Sequence, residues 1–376
     1  MRDDVLDLLR RRPDVEGVSL VAVDASDRLL LDLVVERGLT GPIGVVGDAF
    51  GALTLALAAD GVPVRVNQDT ITAELALAAN AEAVRAAGIE LAPFEIVESA
   101  SAAARGAEAV LLRLPRSLDA LASIAAETAV AAPEAALIGA GRIKHMSHGM
   151  NDVLAARYER VDVSLARQKS RALIASTARA DQPPAPQAER RRLPESDLDV
   201  VALAGVFSGA RLDLGTRALL AALDLSALPA GTAVDLGCGT GVLAAVLARS
   251  RPDLAVIATD TSRAATESAL ATASANGLGD RIRVLRDDNA STLADGSVDV
   301  VLCNPPFHSD GAVTDLVAHR MIRAAGRILR PGGQLWTVFN SHLAHPSELR
   351  RSVGPTKVVA RDRKFTVTRS TRVDAT

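Results

Sequence analysis

An asparagine followed by two prolines and a phenylalanine, Asn304-Pro305-Pro306-Phe307, closes a short apolar run at residues 300–303. The run is apolar on both faces and predicts a buried strand of a parallel sheet. Two prolines cannot continue a hydrogen-bonded ladder, so the chain must leave the sheet there as a stiff loop. In open α/β sheets, ligands sit at the carboxyl ends of strands, which is where this loop falls. Asn304 supplies an amide oxygen, Pro305 a carbonyl, and Phe307 a flat apolar ring. Two acceptors beside a ring suit a planar group that carries an amino nitrogen. A proline-rich loop with Phe307 plugging the core would use the same residues, so what precedes the loop has to decide.

Upstream, VDLGCGTG at residues 234–241 places Gly237, Gly239 and Gly241 between an expected strand and an expected helix. Glycine is needed where a backbone turns sharply or where a ligand presses against it. Asp260 ends the next strand about twenty residues on, where a carboxylate can accept both hydroxyls of a ribose. Asp287, Asp288 and Asn289 follow a third strand, and either Asp288 or Asn289 is placed to meet an adenine. Asp235 and Asn304 complete the candidate cofactor-binding set. A nicotinamide enzyme would share the turn and Asp260 but would not need the diproline corner. The combination points to S-adenosylmethionine as cofactor and to transfer onto an amino nitrogen, with Asn304, Pro305 and Phe307 as the catalytic residues. An exocyclic amine on an aromatic base has its lone pair delocalised into the ring. Accepting its N–H groups on Asn304 and Pro305 turns that lone pair toward a methyl donor, and holding both reactants in line contributes up to roughly 7–11 kcal/mol. Stacking of the base on Phe307 adds on the order of 1–3 kcal/mol. A base within a helix has first to be flipped out or presented single-stranded. His308 is read as a hydrogen-bonded neighbour of the loop.

The elements that must position these residues recur along the chain. After a helix-like opening, strands are expected at 43–46, 62–66, 89–97, 109–114 and 136–141, with helices at 50–59 and 72–87 among those between them. The segment ADQPPAPQAERRRLPES has linker composition. The rhythm then restarts with strands at 232–236, 255–259, 282–285, 298–303 and 334–339, helices at 242–250, 264–276 and 316–329, and a closing pair near 358–360 and 365–368. The fold class is therefore α/β: two tandem Rossmann-like domains from a duplicated fold, the first degenerate. The expected boundaries are 1–180, a Pro-rich linker at 181–196, and a catalytic domain at 197–376.

Composition narrows the classes. The formal net charge of −3 argues against a protein that coats nucleic acid, although Arg and Lys cluster at 142–192 and 350–372. Only eight residues are aromatic, so the core must come from Ala, Val and Leu. Two cysteines without metal spacing predict neither disulfide nor zinc. With no signal pattern and no membrane-length apolar run, a cytoplasmic protein is expected.

The segments VFS at 206–208 and LDLGT at 212–216, then VDLGCGTGVL, VLCNPPFH, FNSHLAHPSELRR and RKFTVTRSTR, resemble the rRNA (guanine-N2)-methyltransferases of the RsmC/RlmG type. The resemblance continues through GDAFGALTLALA, DTITAELALAANAEAV and AVLLRLPRSL, which are similar to that family's amino-terminal domain, a methyltransferase copy that has lost its cofactor. It implies that Gly237, Gly239, Gly241 and Asp260 hold S-adenosylmethionine and that Asn304, Pro305 and Phe307 hold a guanine of ribosomal RNA. It also implies that Phe207, Asp213 and Thr216 line the approach to the cofactor.

The first half, read by itself, agrees: its glycine turn, taken as residues 44–48, lacks the GxGxG spacing, and LPRS at 114–117 stands where the second half has NPPF. Its expected work is RNA docking and bracing. Lys144, Arg167 and Lys169, with Arg142 and Arg171, are candidate phosphate contacts, as are Arg363 and Lys364 in the second half. His145 and His148 have no third ligand at matching spacing, and no metal is expected. The chain is expected to act as a monomer. Competing assignments are methyl transfer to adenine N6 or to a protein glutamine, and a non-catalytic RNA-binding or ribosome-assembly protein.

Overall fold

Short β-branched runs alternating with Ala/Leu-rich helices bury both faces of the central strands, which requires helices above and below a parallel sheet. A computed structural model of the chain describes residues 2–17, 20–306, 311–343 and 345–373, apart from the side chains of 311–314. It divides into two units, residues 1–187 and 188–376.

The first unit contains β1 (Ile43–Val46), β2 (Val64–Asn67), β3 (Phe94–Val97), β4 (Ala109–Arg113), β5 (Ala136–Arg142), β6 (Tyr158–Val163) and β7 (Ser170–Ala178). They form one sheet in the order β3-β2-β1-β4-β5-β7-β6. β1 to β5 pair in parallel, and β7 lies antiparallel between β5 and β6. β8 (Glu189–Leu193) and β9 (Leu198–Ala202) make a separate hairpin. The second unit then repeats the pattern with β10 (Gly231–Leu236), β11 (Leu254–Asp260), β12 (Ile282–Arg286), β13 (Val298–Cys303), β14 (Leu329–Asn340), β15 (Thr356–Arg361) and β16 (Phe365–Thr371). Their order, β12-β11-β10-β13-β14-β16-β15, reproduces the first sheet strand for strand.

Each sheet carries an apolar cluster on both faces. In the second unit Val300, Leu302, Val338 and Ala233 face one layer of helices, and Val234, Val301, Cys303 and Phe339 the other. Full burial of each Val or Leu contributes roughly 1.5–3 kcal/mol, so the central strands form the rigid floor beneath their carboxyl-end loops. Cys238 and Cys303 are buried free thiols, both raised in pKa chiefly by burial.

The structure corrects several sequence expectations. The strand expected over 89–97 is confined to Phe94–Val97. The segment read as a linker is held by local contacts. Arg157, itself buried, donates to the carbonyls of Pro183 and Pro184, the latter at 2.7 Å. Residues 189–193 form β8, and β9 is pinned to the helix Arg263–Ala275 by Val201 N–H donating to Thr272 Oγ1 at 3.0 Å. Four of the five β8 side chains are exposed, and an exposed edge strand has a linker's composition because packing selects only one of its residues, Leu193.

Candidate functional site

The glycine turn and the diproline corner leave the sheet side by side. β10 and β13 pair in parallel with Leu236 opposite Cys303, so the next residues, Gly237 and Asn304, emerge together at adjacent strand ends. Gly237, Gly239 and Gly241 all have left-handed φ, at 77°, 52° and 76°, which glycine adopts without strain. Gly237 and Cys238 N–H donate to the Thr259 carbonyl, and Gly239 N–H donates to Asp260 Oδ2 at 3.0 Å. The carboxylate expected to meet a ribose is thus fixed against the middle of the turn. A Cβ built on Gly239 meets nothing within 4 Å, so this turn opens onto free space, as a backbone that receives a cofactor must. At Gly237 a Cβ would lie 2.8 Å from Met321 Cε, a neighbour for which the sequence held no signal.

Asn304 shows which end of its amide is available. Nδ2 donates to Asp213 Oδ2 and to Thr216 Oγ1, both at 2.9 Å. Oδ1 is buried and accepts no hydrogen bond among the described residues. Leaving a buried acceptor unmet costs about 1–3 kcal/mol, so this oxygen is poised for a donor from outside the chain. Asp213 and Thr216, implied by resemblance at the approach to the cofactor, are thereby joined to Asn304 itself. Pro305 is buried. Phe307 and His308 lie outside the described residues.

Asp235 stands apart from the other cofactor candidates. It is 1 % exposed beneath the turn, where its Oδ2 accepts the N–H of Ala244 at 3.0 Å and so ties the turn to the helix Val242–Ser250. Burial, opposed by that N–H and helped by the charge of Asp260, raises its pKa to about 7. A raised folded pKa means stability that is present below the unfolded value and lost as pH climbs to about 7. Asp235→Asn keeps an accepting oxygen and removes the charge. The variant is expected to match the wild type near pH 4 and to exceed it by roughly 4 kcal/mol near pH 8. Urea denaturation at the two pH values checks this, and a constant difference between the proteins contradicts it.

Past β12, Asp287 is consumed locally: Ser291 Oγ donates to it at 2.6 Å and Thr292 Oγ1 at 2.7 Å. Asp288 receives Arg320 and, at 2.8 Å, the side-chain amide of Asn289, so these adenine candidates form one cluster anchored to the helix Gly311–Ile328. Among the RNA candidates, Phe207 is 60 % exposed, and Lys144, Lys169, Arg363 and Lys364 are exposed as well. Lys364 Nζ sits 5.2 Å from the centre of the Phe365 ring. Arg167 is already paired, at 2.6 Å with Glu36 and 3.5 Å with Asp32. His145 Nε2 faces Arg116 at 3.3 Å.

The same locus in the first unit has different contents. Gly47 N–H donates to Asn67 as Gly237 N–H does to Thr259, so the equivalent turn is residues 47–51, not 44–48. Gly47, Ala49 and Gly51 keep the left-handed φ pattern at 74°, 57° and 88°, with alanine at the middle position. Leu112 lies opposite Val46, which puts Arg113 in the place of Asn304. Arg113 forms ion pairs with Asp24 at 2.9 Å and Asp27 at 3.0 Å, and this end of the sheet is closed by charge.

Comparison with known proteins agrees across the chain. The methyltransferase small domain family matches residues 197–369, and the RLMG N-terminal domain family matches residues 3–180. The ribosomal RNA large subunit methyltransferase G of Pseudomonas aeruginosa is 37% identical over 366 residues, covering 96% of each chain. That of Streptomyces coelicolor is 37% identical over 378 residues, covering 97% of this chain and 98% of its own. Among solved structures, the T. thermophilus 16S rRNA N2 methyltransferase RsmC, in complex with AdoMet and guanosine, superposes with a TM-score of 0.75 at 22% identity. That likeness covers 93% of this chain and 92% of that one, and supports the two-unit fold.

Proposed function

The chain belongs to the ribosomal RNA large subunit methyltransferase G family, and from that premise we propose that it transfers a methyl group from S-adenosylmethionine to the exocyclic N2 amino group of a guanine in large-subunit ribosomal RNA. The observation that carries this assignment is the Asn304 amide, whose nitrogen is held within the chain while its buried oxygen meets no donor among the described residues.

The bound cofactor supplies a methyl group on an electrophilic sulfonium, chemistry that requires neither a metal nor a covalent enzyme intermediate. The left-handed turn at Gly237, Gly239 and Gly241 offers it backbone without Cβ atoms, Asp260 its ribose contact, and Asp288 with Asn289 the edge of its adenine. Asn304 Oδ1 and the Pro305 carbonyl accept the two N–H groups of the guanine amine and turn its lone pair toward the donor. Phe307 stacks on the base, and water is kept out by the buried floor of β10 and β13. Catalysis on this view is orientation, the effect that fixed acceptors deliver best. Phe207, Lys144, Lys169, Arg363 and Lys364 contact RNA, and Arg167 does so only by exchanging its present carboxylates for phosphate. Residues 1–180 dock RNA without binding cofactor, residues 197–376 carry the reaction, and the chain works as a cytoplasmic monomer. Among the described residues no helix is long and apolar enough to cross a membrane.

The decisive experiment incubates the purified chain and labelled S-adenosylmethionine with rRNA from cells lacking the enzyme. The modified nucleotide is then mapped by primer extension and mass spectrometry. N2-methylguanine at one position is expected. Label on adenine N6 or on a protein glutamine would move the amine assignment to those substrates. No transfer despite cofactor binding would leave a non-catalytic RNA-binding protein.

A further inference from the structure

A carboxamide has two ends of nearly equal shape, and rotation about its terminal torsion is broadly two-fold. Only one end of Asn304 serves an amine substrate: oxygen accepts its N–H, whereas nitrogen confronts donor with donor. The first turn of the helix Leu214–Ala222 makes that choice. Asp213 caps this helix, its Oδ2 accepting Gly215 N–H at 2.8 Å and Thr216 N–H at 3.1 Å, and the same oxygen accepts Asn304 Nδ2. An ionised carboxylate can only accept, so the amide end turned toward it must be the nitrogen. Thr216 Oγ1 takes the second N–H, and Oδ1 is left without a donor among the described residues.

Gly215 shows that the fit is close. It lies within a helix, where alanine is ordinarily the better residue. A Cβ there would stand 2.8 Å from Asn304 Oδ1 and 3.3 Å from Nδ2, so any side chain at 215 displaces the amide.

The first unit repeats the device with another residue in its grip. Asp24 caps the helix Ala25–Glu36, and Asp27 lies three positions on, the spacing of Asp213 and Thr216. These two hold Arg113, the residue in the place of Asn304. In both copies, the cap and third helical residue clamp the residue that follows the last pair between the first and fourth strands.

We propose that Asp213, Gly215 and Thr216 form the positioning element of the site, setting the rotamer of Asn304 so that its oxygen meets the amine. This rests on the assignment of Asn304 as the amine acceptor. The test uses the full chain with rRNA lacking the modification. Gly215→Ala is expected to lower kcat about 10²-fold, because the acceptor is displaced. Thr216→Val, similar in size but lacking the hydroxyl, is expected to lower kcat about tenfold, with KM for rRNA and cofactor affinity within about threefold and Thr216→Ser close to wild type. If Gly215→Ala and Thr216→Val both retain kcat within about threefold, the proposal is overturned. A crystal structure of the Gly215→Ala chain provides a readout independent of activity: the Asn304 amide should have left Asp213, and an amide still in place refutes the clamp. A wild-type chain that cannot methylate rRNA would instead remove the functional assignment, and the crystal structure would still decide the clamp.

Discussion

Asn304→Ala is expected to lower the rate of methyl transfer by about 10³-fold or more, while affinity for S-adenosylmethionine stays within about threefold of wild type. The substitution deletes a buried acceptor at the strand end that meets no donor among the described residues. It leaves untouched the turn at Gly237–Gly241 and its bond to Asp260, the parts assigned to the cofactor. Asp213 loses a donor but keeps the Gly215 and Thr216 N–H groups, so the helix remains capped and the cost to stability is about 1 kcal/mol. Single-turnover transfer and calorimetric titration of the cofactor separate the two effects. Activity persisting at about a tenth of wild type would show that another group grips the amine.

What made Asn304 legible in the sequence is that its neighbours break rules. Two prolines end a strand, and three glycines in five residues interrupt an apolar run, so the backbone reports the site before any contact is known. The all-buried strand Val298–Cys303 and the helix Val242–Ser250 were equally plain, since burial and helical period leave direct marks on residue type. Contacts across long stretches of chain leave no such mark. Nothing in the spacing of LDLGT says that its Asp213 and Thr216 reach Asn304, 91 and 88 positions away. The turn of the first unit was hidden for a related reason: Ala49 holds a left-handed conformation because the surrounding fold imposes it, and a search for glycine misses it. Asp235 marks the limit from the other side, because adjacency to the glycine turn did not tell that its carboxylate is buried and accepts the Ala244 N–H.

The equivalent position in the first unit yields the converse result. Arg113→Ala is expected to destabilise that unit by about 3–5 kcal/mol, the usual cost of leaving a buried charge without its partner. Arg113 bridges Asp24 and Asp27, and Asp48 lies close enough to add to the same field. Burial raises Asp27 to about 7 even though Arg113 opposes it, and burial also raises Asp48 against the hydrogen bonds from Thr54 and Leu53. An acid with a raised folded pKa favours folding when protonated, an effect full below about 3.9 and lost as pH rises toward 7. Without the guanidinium the Asp27 pKa moves higher still, so the deficit of Arg113→Ala should be larger near pH 8 than near pH 5. Urea unfolding of the full chain, followed through the transition of the first unit, measures it. A wild-type midpoint near pH 8 would mean that the ion pair does not hold this end of the sheet closed. Cofactor affinity should be unchanged, because the turn proposed to hold the cofactor lies in the second unit. One architectural contact, helix cap to strand end, thus carries orientation in one copy and stability in the other. Asn304 and Arg113 can be told apart by which of the two is lost when each is removed.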